Sequence, residues 1–145
     1  MEGWDKFMPN TLQQRINQHR LLSELRFKLL HLHKQLLDTE RVTYEQVRGK
    51  VSRGELLQLV INHEQFAWLH RLSEMIVQID ELLQADEPVT SDAITALITD
   101  IQTLLAPNEY GTDFAMKYDA AFQRNPDVVL AHADVVALLT AGSQG

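Results

Sequence analysis

A chain of 145 residues, 45% apolar and 23% charged, is long enough for one domain with a core of its own. It contains no cysteine, which excludes disulfides, thiolate metal sites and cysteine nucleophiles, and its formal charge of −7 argues against a general nucleic-acid coat protein. The charge is unevenly placed: residues 1–53 hold ten Lys/Arg against six Asp/Glu, a net +4, whereas residues 54–145 hold three against fourteen, a net −11.

The opening MEGWDKFMPN has acids where a secretory signal starts basic, and no apolar segment follows it. No run approaches the roughly 20 apolar residues of a membrane span. The expectation is a cytoplasmic protein with no membrane contact. Pro9 followed by Asn10 or Thr11 predicts a first helix over 11–48, closed by Gly49. Ser52-Arg-Gly-Glu55 has the pattern of a capping box and starts a helix over 53–61. Asn62-His-Glu-Gln65 reads as a new start, so a bend near Asn62 precedes a helix over 63–85. Thr90 or Ser91 opens 91–105, Thr112 opens 113–124, and Asn125-Pro126 places a cap before proline at the first position of 126–140. Between the breakers the apolar period is 3.6 and never a sustained 2. The expected fold class is therefore all-α: a bundle of five to six helices with a long first helix and a central helix near 63–85. It forms one domain over 1–145, with residues 1–20 expected as a projecting arm.

The faces carry more detail. Helix 91–105 is one-sided, with Ile94, Leu97, Ile98, Ile101 and Leu104 together; Phe114, Tyr118, Ala121 and Phe122 line up in helix 113–124. Helix 63–85 has an apolar arc of roughly 220° at 100° per residue, which calls for neighbours on two sides. His63, His70, Glu74 and Glu81 occupy its remaining face; His70 and Glu74 at i, i+4 suit a metal pair, but solvated surface is the simpler reading.

In the first helix Leu22, Leu25, Leu29, Leu32, Leu36, Tyr44 and Val47 draw the apolar face, with Arg26, His33 and Glu40 inside it at seven-residue intervals. Asp80 and Ser73 fall within the arc of 63–85, and His132 shares a face with Val128, Val129, Val135, Val136 and Leu139. Arg26, His33, Glu40, Asp80 and His132 are the candidate site residues. One reading makes them a satisfied polar network that fixes helix register. Another makes His33, Glu40, Asp80 and His132 the lining of a ligand or metal pocket. A third leaves them exposed. If the Gly49–Gly54 turn folds 53–85 back along the first helix, paired positions sum to about 101–102, Asp80 lies roughly one turn from Arg26, and an Arg26–Asp80 ion pair is expected.

No Glu-x-x-His of a di-iron bundle, no HExxH, no phosphate-binding glycine loop, no GxSxG and no EF-hand loop is present. LLDTERVTYEQV (36–47) followed by FAWLHRLSEMIVQIDELL (66–83) resembles a group of small, uncharacterised bacterial all-helical proteins, over about residues 20–140. The resemblance implies a bacterial helical bundle and supplies no activity or site residue.

From Arg15 to Lys34 the charged residues are Arg15, Arg20, Arg26, Lys28 and Lys34 against Glu24 alone, with His19, His31 and His33 among them. Such a stripe suits an acidic partner or a nucleic acid, but only Phe27 is interleaved for base stacking and no helix-turn-helix follows, so nucleic acid is disfavoured. An unbroken helix over 11–48 would run about 57 Å, against about 38 Å for a compact domain of this size. It must kink or project, and an arm bearing Trp4, Phe7 and Met8 would seek a partner, most simply a second copy. The favoured expectation is a non-enzymatic, homodimeric interaction protein, with an unidentified protein partner as a variant. The alternatives are a small-molecule or metal-binding bundle built on the polar set, and a nucleic-acid-associated protein acting through the basic helix. No catalytic residue, cofactor or metal is assigned.

Overall fold

The computed structural model describes the backbone of residues 2–106, 108 and 110–144, and the side chains of 12–106, 108 and 110–142. Among the described residues the chain is all-helical, with six α-helices: α1 (Glu2–Arg48), α2 (Arg53–Asn62), α3 (His70–Gln84), α4 (Ser91–Leu104), α5 (Asp113–Arg124) and α6 (Pro126–Gln144). A short 3₁₀ helix (Glu64–Leu69) lies between α2 and α3.

Most boundaries follow from local capping chemistry. Ser52 Oγ accepts the Glu55 N–H (3.2 Å), Thr90 Oγ1 that of Ala93 (3.1 Å) and Thr112 Oγ1 that of Ala115 (3.2 Å), each satisfying a donor that the first turn leaves free. Asn125 Oδ1 accepts from the Asp127 N–H at 2.9 Å ahead of Pro126. Gly49 ends α1 with φ +87°, a left-handed conformation that costs a glycine little. Two boundaries differ from expectation. The first helix begins at Glu2 rather than 11 and carries Pro9 within it, at the loss of one backbone hydrogen bond. The bend after α2 is capped by His63, whose Nδ1 accepts the Gln65 N–H at 3.1 Å, rather than by Asn62.

At 47 residues α1 spans about 70 Å and is the spine of the bundle. Its stripe of Leu22, Leu25, Leu29, Leu32 and Leu36 is buried; each such leucine contributes about 2 kcal/mol of transfer free energy. The stripe stops short of its expected end, since Val47 is 80% exposed. On one side α3 runs antiparallel to α1, pairing Arg26 with Asp80 and His33 with Ser73. On the other α6 runs antiparallel, with Asn125 donating to Thr39 Oγ1 and Arg124 to Thr43 Oγ1 near one end. Near the other end Gly142 lies so close that an added Cβ would stand 3.0 Å from Leu21 Cδ2. The wide apolar arc of 63–85 resolves into Phe66, Trp68 and Leu69 of the 3₁₀ helix and Leu72, Met75, Ile76 and Ile79 of α3, all facing inward. Helices α4 and α5 bury the faces their sequences drew.

The side chains of Trp4, Phe7 and Met8, on which the projecting arm was argued, lie outside the described residues. Of the remainder of 1–20, Gln14 and Gln18 both donate to Ser91 Oγ at the start of α4, at 3.3 and 3.2 Å. No helix among the described residues is long and apolar enough to cross a membrane.

Candidate functional site

The polar residues singled out in α1 form a ladder with the chain that returns alongside it. Arg26 Nε donates to Asp80 Oδ1, the ion pair expected from the antiparallel arrangement. The next rung, seven residues on, is His33 Nε2 with Ser73 Oγ at 3.1 Å. Seven further on, Glu40 accepts from Gln65 Nε2 at 2.9 Å and from Trp68 Nε1 at 3.1 Å. The first two rungs pair positions summing to 106, not 101–102, so Asp80 sits level with Arg26 instead of a turn away.

These residues were expected to face the core, and that is corrected: all five are half-buried, and apart from the aromatic Trp68 and Tyr118 no side chain that carries a polar or charged group is buried among the described residues. Arg26 and Asp80 keep 42% and 33% of their side-chain surface, so their attraction is screened by water. The rungs lie at the outer edge of the α1–α3 contact because a seven-residue repeat drifts slowly round a 3.6-residue helix and holds one side of it. No buried side-chain polar atom among the described residues lacks a partner.

The five candidates do not converge. Successive rungs are about 10 Å apart along the helix axis, too far for two of them to share a metal ion at ligand distances near 2 Å. His132 stands apart on α6, where its Nδ1 lies 2.6 Å from Tyr118 Oη. Among the described residues no group of three His, Cys, Asp or Glu side chains is placed to hold a metal. His70 is engaged as well, its Nε2 donating to the Val60 carbonyl at 2.8 Å.

Burial shapes the titration of these groups. Desolvation, with a smaller effect from nearby His70, holds His33 below its ordinary value, so its ring is neutral at pH 7. The Ser73 hydroxyl lies within reach of both His33 Nε2 (3.1 Å) and the Leu69 carbonyl (3.4 Å), and the tautomer of the neutral ring sets which group donates in that rung. Desolvation likewise lowers His132 and raises the phenol of the fully buried Tyr118, so a neutral phenol and a neutral imidazole share this hydrogen bond. An aromatic run surrounds the pair: Phe114 stacks on Tyr118 at 5.7 Å, and Phe122 meets the His132 ring edge-on at 5.2 Å.

Sequence reasoning did not find Gln65 and Trp68 as partners of Glu40, nor Tyr118 as partner of His132. Trp68 and Tyr118 were read only as apolar, although each carries a polar tip that needs a partner once buried.

Two surface features stand outside the ladder. A groove of about 520 Å³ between α1, α4 and the end of α6 has Leu21, Ile98 and Gly142 in its floor and Asn17, Arg20 and Gln102 on its rim. Four apolar side chains of α1 are exposed: Phe27 and Leu30, outside the leucine stripe, and Leu12 and Ile16, which with Leu22 of the stripe border a cleft against Leu82, Leu83 and Val89. Among the described residues, Arg26 makes the one ion pair that joins α1 to another helix; Arg15, Arg20, Lys28 and Lys34 make none.

Comparison with protein-family models, with curated proteins and with solved structures gives no match.

Proposed function

We propose that this protein is a non-catalytic helical interaction module that works as a homodimer through the outward side of α1. The observation that carries the reading is the state of that helix side. It combines exposed Phe27 and Leu30 with Lys34, which has no carboxylate partner among the described residues; exposed Leu12 and Ile16, and the cations Arg15, Arg20 and Lys28, likewise without an ion pair among the described residues, lie elsewhere on the same helix. Apolar side chains gathered on one outward face gain from being covered, and unpaired cations gain from a facing acidic surface. A second copy supplies both, because residues 54–145 carry three basic against fourteen acidic side chains. The dispersal of the polar candidates into separate, satisfied pairs supports a structural role for them and gives no acid–base constellation to work with.

Sedimentation equilibrium of the full chain at low and high salt tests the reading. A dimer that weakens as salt rises is expected; a monomer at every salt and at concentrations up to about 100 μM, where a specific contact of ordinary size is occupied, overturns it. The α1–α4–α6 groove favours a second reading, a small-molecule site, since its volume of about 520 Å³ suits a ligand of moderate size. A Gln102→Trp substitution that filled the groove would then abolish a ligand-induced rise in melting temperature.

A further inference from the structure

We infer that the second copy docks on the face shared by α1 and α3, about a two-fold axis parallel to these helices, so that α1 of each protomer lies on α3 of the other. This rests on the homodimeric reading above and specifies its surface. The ladder sets the levels: with Arg26 opposite Asp80 and His33 opposite Ser73, Leu30 and Val77 stand side by side between those rungs. Both project away from the core, Leu30 at 39% and Val77 at 52% exposure, and Phe27 on the next turn of α1 is 74% exposed. The three form an apolar centre that the described residues leave open.

The charges beside that centre differ on its two sides. Lys34 lies one turn beyond Leu30 on α1; Glu74 lies one turn from Val77 on α3, at nearly the same level as Lys34. Neither forms an ion pair among the described residues. At this level the face is thus basic on α1, at Lys34, and acidic on α3, at Glu74. An axis running across the helices would lay α1 on α1 and α3 on α3, bringing like charges together. An axis parallel to the helices lays α1 on the partner's α3 at unchanged levels. Leu30 then meets Val77 of the partner subunit and Lys34 meets Glu74 of the partner subunit, each contact occurring twice, as a two-fold interface requires. The charge pattern selects this second arrangement. The Arg26–Asp80 pair would be covered in the process, which a matched pair tolerates far better than a lone charge.

The experiment uses the full chain and four variants: Lys34→Glu, Glu74→Lys, the two together, and Leu30→Asp. All three positions substituted are on the outer surface, and circular dichroism melts confirm that each variant folds. Each single charge reversal is expected to weaken the dimer about tenfold or more, and the double reversal to restore it, because the exchanged charges again face each other across the axis. Leu30→Asp is expected to give a folded monomer. A double reversal no stronger than the singles, or a Leu30→Asp protein that still dimerises like the parent, overturns the surface while leaving the homodimer standing. A parent chain that is itself monomeric overturns both.

Discussion

Removing the Glu40 carboxylate tests the ladder where it matters most for stability. Glu40 accepts from Trp68 Nε1 at 3.1 Å and from Gln65 Nε2 at 2.9 Å. The two donors differ in what they can do afterwards. Gln65 is half-buried and can turn to water, whereas Trp68 is 4% exposed and fixed against Phe114 at 5.2 Å, so its N–H is stranded. A stranded buried donor costs about 1–3 kcal/mol, and hydrogen bonds to a charged acceptor contribute towards the upper part of that range. Glu40→Ala should therefore lose about 2–3 kcal/mol, which for a domain of this length lowers the melting temperature by about 6–9 °C. Glu40→Gln keeps a carbonyl for the indole and should lose only about 1 kcal/mol. Urea denaturation followed by circular dichroism reads the change as a shift in midpoint at constant slope. The same pair of measurements in a Trp68→Phe background isolates the contact, and a coupling of at least about 1 kcal/mol is expected. A Glu40→Ala protein within about 0.5 kcal/mol of the parent, or an equal loss in both backgrounds, refutes the reasoning.

Three further predictions follow from other parts of the fold. Tyr118→Phe leaves His132 Nδ1 without its 2.6 Å partner and should cost about 1 kcal/mol in urea denaturation, with little change in packing. His33 and His132 are both held below the ordinary value of 6.5, so the unfolded chain binds protons that the folded one refuses. Stability is then steady above about pH 7.5 and declines as pH falls through 6.5 and below; a midpoint that rises between about pH 7.5 and 5.5 would contradict this, and His33→Gln should flatten the decline. Gly49→Ala should destabilise by about 1 kcal/mol through its φ of +87° alone, since nothing lies within 4 Å of the added methyl, whereas Gly54→Ala, in open space inside α2, should stabilise by about 0.5 kcal/mol.

The ladder also bears on how the bundle holds its register. Leucines spaced along a helix can slide past one another by a turn with little loss, because one apolar contact resembles the next. A charged rung, an imidazole–hydroxyl rung and a carboxylate with two specific donors cannot. A one-turn slip would set Arg26 away from Asp80 and leave the Trp68 N–H buried without an acceptor, a penalty no leucine pair imposes.

What the sequence determined by itself is the local structure and the direction of each face. Caps act through atoms within three residues of one another, so Ser52, Thr90, Thr112 and Pro126 mark their helices without knowledge of the fold. The leucine period of α1 likewise names its buried side, and the charge split between residues 1–53 and 54–145 is a plain property of the chain. The start of α1 escaped this reading, because proline weakens a helix locally while the segments on both sides of Pro9 still favour it. Tertiary structure decided the partners. Folding the chain back at Gly49–Gly54 gives a sum of 101–102, but the ten-residue α2 and the His63 cap intervene, and the true pairing is displaced by about one turn. A shift of a whole turn keeps the same helix sides in contact, which is why the Arg26–Asp80 pair survived it. Which residue meets Glu40 or His132 depends on where the 3₁₀ helix and α5 come to rest, and no local signal in α1 or α6 contains that information.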